Sequence, residues 1–108
     1  MQLDLPKPIA AYFTADKGDG EAVPQCFTET AVVKDEGHIY HGRAAIKQWK
    51  AEASTKYQYT NEPFACEHKD GKFVVTSRLT GNFPGSPVNL RFCFELEGAR
   101  IASLEIIS

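Results

Sequence analysis

Asp35 is the residue of this 108-residue chain whose surroundings best suit acid–base chemistry. It closes the β-prone run 31–35, and alternation along a strand places its side chain on the same face as that of Val33. If Val33 points into an apolar interior, Asp35 does too, and desolvation then raises the pKa of its carboxyl group into the range of a general base near neutral pH. The alternative is a carboxylate that caps the turn at Glu36-Gly37 or faces solvent.

Several other side chains are candidates for the lining of a ligand pocket. Tyr12 offers a phenol to a ligand oxygen, or simply packs in the core, and Trp49 forms either core or a pocket wall, with an indole N–H that needs a partner. On one face of a predicted strand, Gly81 leaves room for a ligand or marks a bulge. The predicted pocket residues are Tyr12, Trp49, Ser77, Leu79 and Val88.

The histidines invite a metal interpretation, which their spacing does not support. His38, His41 and the distant His68 accompany Asp35 and Glu36, and these residue types suit zinc or iron. However, neither HExxH nor another recognised ligand spacing is present. We therefore predict no metal and no cofactor, with His41 in a turn and His38 exposed.

Composition excludes several classes of function. Apolar residues make up 43% of the chain and charged residues 24%, and the formal net charge is −2. Because no basic stripe is present to neutralise phosphates, we expect no nucleic-acid binding. No apolar run approaches the roughly 20 residues that cross a bilayer, and the first residues do not resemble a secretory signal, so we expect no membrane association and a cytoplasmic location.

Three helices are predicted before the main sheet. Ile9, Tyr12 and Phe13 form an apolar stripe on the first helix, over Pro6–Asp16. A second, short or bent helix is expected over Asp19–Phe27. The third, over Arg43–Ser54, carries an apolar face that leaves out Lys47, Lys50 and Glu52.

The remaining segments predict strands. The clearest is Val88–Leu96, in which Phe92 and Phe94 alternate with polar residues, so that the phenylalanines should face the helices. The predicted strands are Ala31–Asp35, His38–His41, Tyr57–His68 with a bulge at Pro63, Phe73–Phe83, Val88–Leu96 and Arg100–Ile107, with a hairpin turn at Lys69-Asp70-Gly71. Helices first and a meander last indicate an α+β fold with a mostly antiparallel sheet.

The order of these elements resembles the SnoaL-like family of the nuclear transport factor 2-like superfamily. The resemblance covers nearly the whole chain and rests on weak motifs in a specific order: Asp16-Lys17-Gly18-Asp19, Phe27-Thr28, His41-Gly42-Arg43-x-x-Ile46, Asp70-Gly71 and Gly98-Ala99-Arg100-Ile101. It implies a single domain over residues 1–108, in which three N-terminal helices pack on a strongly curved, mostly antiparallel sheet to form a cone with an internal apolar pocket.

Functional residues transfer from the family only in part. Asp35 is similar in position to the proton-abstracting aspartate of the family's isomerases. The tyrosine that donates a hydrogen bond in those isomerases falls on Ala11, with Tyr12 one residue late, a rotation of about 100° on a helix. The position of their second acid falls on Val88. In those isomerases, two clustered donors stabilise the negatively charged oxygen of the reaction intermediate. Because neither donor is present at the matching position of this chain, ketosteroid isomerase activity itself is not expected.

Two functions follow from the sequence. The first is a cofactor-independent enzyme of isomerase, cyclase, dehydratase or hydrolase type, in which Asp35 transfers a proton on a small apolar ligand that carries a carbonyl group. The second is a domain of the same fold that binds a small molecule, or mediates dimerisation, without catalysis. We also expect a homodimer through the outward face of the sheet, with Asn89, Arg91, Cys93 and Glu95 at or near the interface.

Overall fold

The computed structural model of the protein describes residues 3–17, 22–56 and 58–107, and it contains two α-helices and one six-stranded sheet. No helix in these ranges is long and apolar enough to cross a membrane. The elements in chain order are α1 (Lys7–Lys17), a 3-10 turn (Val23–Cys26), β1 (Phe27–Asp35), β2 (His38–His41), α2 (Gly42–Lys56), β3 (Tyr59–Lys69), β4 (Lys72–Gly81), β5 (Val88–Glu97) and β6 (Arg100–Ile107).

The prediction of three helices is wrong, because only two are found in the described part of the chain. Where the second helix was expected, a single 3-10 turn closes with a hydrogen bond of 3.2 Å from the Gln25 N–H to the Ala22 carbonyl. Pro24 has no N–H to donate, which disfavours a longer helix at this point. The expected start of that helix at Asp19 lies outside the described residues.

The strands lie in the order β2-β1-β6-β5-β4-β3. The four-stranded antiparallel meander from β3 to β6 confirms the prediction, and so does the register shift after Pro63. The parallel pairing of β1 with β6, in which Val33 lies opposite Leu104, was not foreseen.

The sheet is not strongly curved, and that part of the predicted cone is wrong. β4 and β5 pair in unbroken register from Phe73 to Leu79. Because sharp bending of a sheet needs bulges, this central pair stays comparatively straight.

The core lies between the helices and one face of the sheet. Tyr12 and Phe13 of α1 pack against Phe92 and Phe94 of β5, with ring centroids 5.4 to 6.4 Å apart. Asn89, whose position in β5 alternates with those of the two phenylalanines, is exposed. The prediction that the phenylalanines of this strand face the helices is therefore confirmed.

We expect Phe92→Ala to lower the free energy of unfolding by about 3–5 kcal/mol, as is usual when a buried phenylalanine is truncated. Phe92 is only 2% exposed and contacts both aromatic rings of α1. Asn89→Ala on the outward face of the same strand is the matched control and should change stability by less than about 0.5 kcal/mol. Urea unfolding measures both, and equal losses would contradict the assignment of the two faces.

Candidate active site

A cavity of about 580 Å³ opens between α2, the β1–β2 hairpin and the inner face of the sheet. This size is in the usual range for small-molecule sites. Its sheet side is apolar, formed by Leu79, Val88, Leu90, Phe92 and Ile106. Polar side chains lie in two groups, one around Asp35 and the other around Lys50.

Asp35, at the end of β1, is half-buried and lines this cavity. The indole Nε1–H of Trp49 on α2 donates a hydrogen bond of 3.0 Å to Asp35 Oδ2, and the backbone N–H of Glu36 donates another to the carboxylate. Both sequence-based interpretations therefore hold in part, since the carboxylate accepts a bond from the turn and also faces the cavity.

The pKa of Asp35 is raised, chiefly because burial disfavours its charged form. The nearby Glu36 charge raises this pKa further, while the hydrogen bond from Trp49 opposes the shift. Among the described lysines and arginines, none forms an ion pair with Asp35. The carboxyl group thus has the environment that a general base requires.

Four of the five predicted pocket residues lie on the wall of this same cavity: Tyr12, Trp49, Leu79 and Val88. Ser77 does not line it. Its side chain is fully buried and donates a hydrogen bond to Oδ1 of Asn61, which does line the cavity. Ser77 therefore lies behind the cavity wall, and the polar side chain exposed to the cavity at this point is that of Asn61.

Gly81 makes room for protein rather than for a ligand. A Cβ atom at this position would come within 2.7 Å of the Tyr59 Cβ and would also collide with the Gln58 carbonyl. The absence of a side chain at position 81 therefore lets the start of β3 approach β4 closely. As a result, Tyr59 lies against the cavity.

The second polar group centres on Lys50, whose expected position on the polar face of its helix is wrong. Lys50 is only 4% exposed. Its Nζ forms an ion pair with the buried Asp16 carboxylate and donates a hydrogen bond of 2.7 Å to the Tyr59 hydroxyl. The Nδ2 of Asn61 donates to the other Asp16 oxygen at 3.1 Å. Each of these polar side chains therefore has at least one partner within the group.

Sequence reasoning missed this group because its members are distant in the chain. Asp16 lies in the last turn of α1, Lys50 lies in α2, and Tyr59 and Asn61 lie two residues apart on one face of β3. The only available signal was the alternation that places Tyr59 and Asn61 on the same face. Nothing local to Lys50 indicates that an acid would approach it.

Burial also shifts the ionisation of the groups around Lys50. It lowers the pKa of Lys50 to about 8, which leaves the amine mostly protonated at neutral pH beside the Asp16 carboxylate. Burial raises the pKa of Tyr59 and of Tyr12, and the charge of Asp35 raises both further. Both phenols therefore remain neutral hydrogen-bond donors at physiological pH.

Within the described ranges, no group of three or more His, Cys, Asp or Glu side chains is arranged to hold a metal ion. His38 contacts Tyr40 with ring centroids 6.4 Å apart and lies at the cavity, whereas His68 stacks on Phe73 at 4.2 Å. The histidines considered as metal ligands with Asp35 and Glu36 therefore do not assemble around one point.

Comparison with known proteins identifies the fold. A family model for the SnoaL-like domain matches residues 9–104. The structure of a candidate polyketide cyclase from Sinorhizobium meliloti superposes with a TM-score of 0.90 at 39% identity, over 95% of both chains. A search of curated proteins gives no match.

Two more distant structures share the fold. A Catenulispora acidiphila protein with a ketosteroid isomerase-like fold, solved in complex with trimethylamine, has a TM-score of 0.85 at 18% identity, over 97% of this chain and 87% of that one. SalBIII, an epoxide hydrolase/cyclase-like enzyme of pyran ring formation in salinomycin, has a TM-score of 0.76 at 24% identity, over 93% and 86%.

The raised pKa of Asp35 gives a pH dependence with a defined sign. The folded protein holds this proton more tightly than the unfolded chain, so the contribution of Asp35 to stability is complete at acid pH and is lost as the pH rises through the folded-state pKa. Asp35→Asn keeps an acceptor for Trp49 and removes the buried charge. We expect it to leave stability unchanged or higher at about pH 7, relative to wild type, with no such gain at acid pH.

Urea unfolding at both pH values, with a ¹³C NMR titration of the Asp35 carboxyl group, measures this effect. A carboxyl pKa at or below the ordinary aspartate value, or an Asp35→Asn protein that is clearly less stable at neutral pH, would contradict it. Either result would mean that Asp35 acts as a charged cap of the turn.

Lys50→Met should lower the free energy of unfolding by about 3–5 kcal/mol, because it leaves the Asp16 carboxylate buried without its cation. Replacing both partners, as Asp16→Asn with Lys50→Gln, should cost less, since no buried charge remains. Lys47→Met, at an exposed position of the same helix, is the control and should have little effect. Thermal or urea unfolding of the three variants checks this order.

Proposed function

Because the chain belongs to the SnoaL-like family, we propose that it is a cofactor-independent enzyme in which Asp35 transfers a proton on a small, largely apolar ligand that carries a carbonyl group. The observation that carries this proposal is the position of the Asp35 carboxylate, held by Trp49, on the wall of a cavity whose sheet side is apolar. The reaction class is proton transfer next to a carbonyl group, as in isomerisation, dehydration or aldol-type cyclisation.

The role of each residue follows from its contacts. Asp35 removes a proton from the carbon next to the carbonyl group and returns it to the ligand at another atom. Trp49 fixes the direction of the carboxylate through its hydrogen bond to Oδ2. The apolar residues of the sheet exclude water around the reacting atoms, so that the pKa of the base stays raised.

The relatives support an enzyme of this broad kind without naming a substrate. The Sinorhizobium meliloti protein, at 39% identity, is a candidate polyketide cyclase. Cyclisation of a poly-carbonyl chain begins when a base removes a proton between or beside carbonyl groups, which is the step proposed for Asp35. The residues of the cavity wall would accept such a chain, because they are mostly apolar or aromatic.

A binding domain without catalysis is the second candidate. It is favoured by one observation, that the second acid expected in an isomerase is replaced by Val88, which lines the cavity as an apolar side chain. In this alternative the cavity holds a ligand, and Asp35 only anchors it through hydrogen bonds. The two candidates differ in whether bound ligand exchanges a proton with the protein.

We expect the wild-type protein to accelerate deuterium exchange at the carbon next to the carbonyl group of a bicyclic aryl ketone, α-tetralone, in D₂O. Asp35→Asn should reduce this exchange by about 10²- to 10⁴-fold, the usual range for loss of a general base. Proton NMR follows the exchange, and calorimetry measures ketone binding by both proteins. Glu67→Gln, the same change of charge at an exposed position away from the cavity, should exchange like wild type.

The outcome separates the two candidates. Exchange in wild type that disappears in Asp35→Asn, while the ketone still binds, supports the enzyme. Ketone binding to wild type without any acceleration of exchange would support the binding domain instead.

The predicted homodimer remains a proposal of the same kind. Asn89, Arg91 and Glu95 are exposed and Cys93 is half-buried on the face of the sheet opposite the helices. A partner seated there would leave the cavity open, because the cavity lies on the other face.

A further inference from the structure

The cavity has a second polar end that the proposed proton transfer does not use. Lys50, Tyr59 and Asn61 all line it, and α2 and β3 hold them in place. We propose that Lys50 and Tyr59 form an oxygen-binding site, which holds the carbonyl oxygen of the ligand and stabilises the negative charge that develops there. The catalytic role of this site rests on the proposed function, whereas its ability to bind an oxygen anion does not depend on it.

The hydrogen bonds of Lys50 leave room for a ligand. An ammonium group has three hydrogens, and among the described residues its partners are two, the Asp16 carboxylate and the Tyr59 hydroxyl. The third hydrogen remains for a ligand oxygen, since Lys50 lies on the cavity wall. The aromatic rings of Trp49 and Tyr59, 5.7 and 5.3 Å from Nζ, restrict its movement.

Tyr59 adds a donor that can turn towards the ligand. Its oxygen accepts a short bond from Lys50, whereas its own hydrogen is directed to Asp16 across 3.4 Å, at the weak end of hydrogen-bond distances. A ligand oxygen in the cavity would offer a closer acceptor. Because the neighbouring ammonium polarises the phenol, its O–H becomes a stronger donor.

The charges favour a neutral carbonyl compound as ligand and an anion as intermediate. Asp16 balances Lys50 before the ligand arrives, so a neutral ligand meets no unpaired charge at this end of the cavity. When Asp35 takes a proton, it becomes neutral and the ligand oxygen becomes negative, next to a fixed cation and a phenol. Donors held in place before the reaction, in a site that excludes water, are the arrangement that stabilises an oxyanion most effectively.

This site supplies what the family positions lack in this chain. The expected tyrosine position is Ala11 and the expected second acid is Val88, so neither contributes a donor. Lys50 and Tyr59 instead approach the cavity from α2 and β3. The substrate class this implies is a ketone or poly-carbonyl compound whose enolate oxygen is bound by Lys50 and Tyr59.

The test uses 4-nitrophenol as a probe of an oxygen anion, because its ionised and neutral forms differ in visible absorbance. The protein carries Asp35→Asn, which mimics the protonated base. We expect the bound probe to be ionised at a pH below its pKa in water, as a site that prefers the anion requires. With Asp16→Asn and Lys50→Gln added, the bound probe should be neutral and the affinity for its anion at least tenfold lower.

Two controls make the result specific. Nitrobenzene has nearly the same shape but no hydroxyl oxygen, and its affinity should be unchanged by the added substitutions. Tyr59→Phe in the Asp35→Asn background removes one donor without altering any charge, and it should cause a smaller loss of anion affinity. Circular dichroism checks that each variant is folded. If the variant with Asp16→Asn and Lys50→Gln is unfolded, the result for Tyr59→Phe decides the test.

Three outcomes would overturn the proposal. The first two are equal ionisation of the probe with and without Lys50, and equal losses of affinity for nitrobenzene and nitrophenol. The third comes from treating the protein with a ketone and borohydride: covalent attachment of the ketone to Lys50 would show that the amine acts as a nucleophile. Failure of the deuterium exchange together with an ionised probe would instead reject Asp35 as a base and leave the oxygen site standing.

Discussion

The buried ion pair between Lys50 and Asp16 is the interaction on which the arrangement of the molecule depends. A charge removed from water is tolerated only when an opposite charge and hydrogen bonds replace the solvent. Here the replacement comes from three elements at once, because Asp16 lies in the last turn of α1, Lys50 lies in α2 and Tyr59 begins β3. The ion pair therefore restricts how these elements can meet, and the apolar packing of α1 on β5 is compatible with it.

The same helix positions both polar ends of the cavity through two consecutive residues. Trp49 donates to Asp35 on one side, and Lys50 contacts Asp16 and Tyr59 on the other. Successive residues on a helix point about 100° apart, so one turn of α2 can serve two walls of one pocket. The distance between the two ends is then set by rigid backbone, and a small rotation of α2 would disturb both together.

Features governed by neighbouring residues were predictable from the sequence. The tight turn at Asp70-Gly71, with φ angles of 53° and 76°, and the alternation around Phe92 both follow from local backbone and solvation preferences. The cavity position of Asp35 could be foreseen for the same reason. The burial of Lys50 could not, because it depends on an acid that only the folded chain brings near. The helix expected before β1 was predicted too long, because Pro24 limits this segment to one 3-10 turn.

The parallel pairing of β1 with β6 has a consequence for the order of events during synthesis. Asp35 belongs to β1, which pairs with β6 on its inner side. Leu104 of β6, the partner of Val33, is translated only about 70 residues after it. Until then β1 can pair only with the four-residue strand β2, and a hairpin of that size is marginal alone. The wall that carries the proposed base is therefore among the last parts of the protein to become fixed. A nascent chain stalled before β6 would expose an unpaired strand edge to other chains.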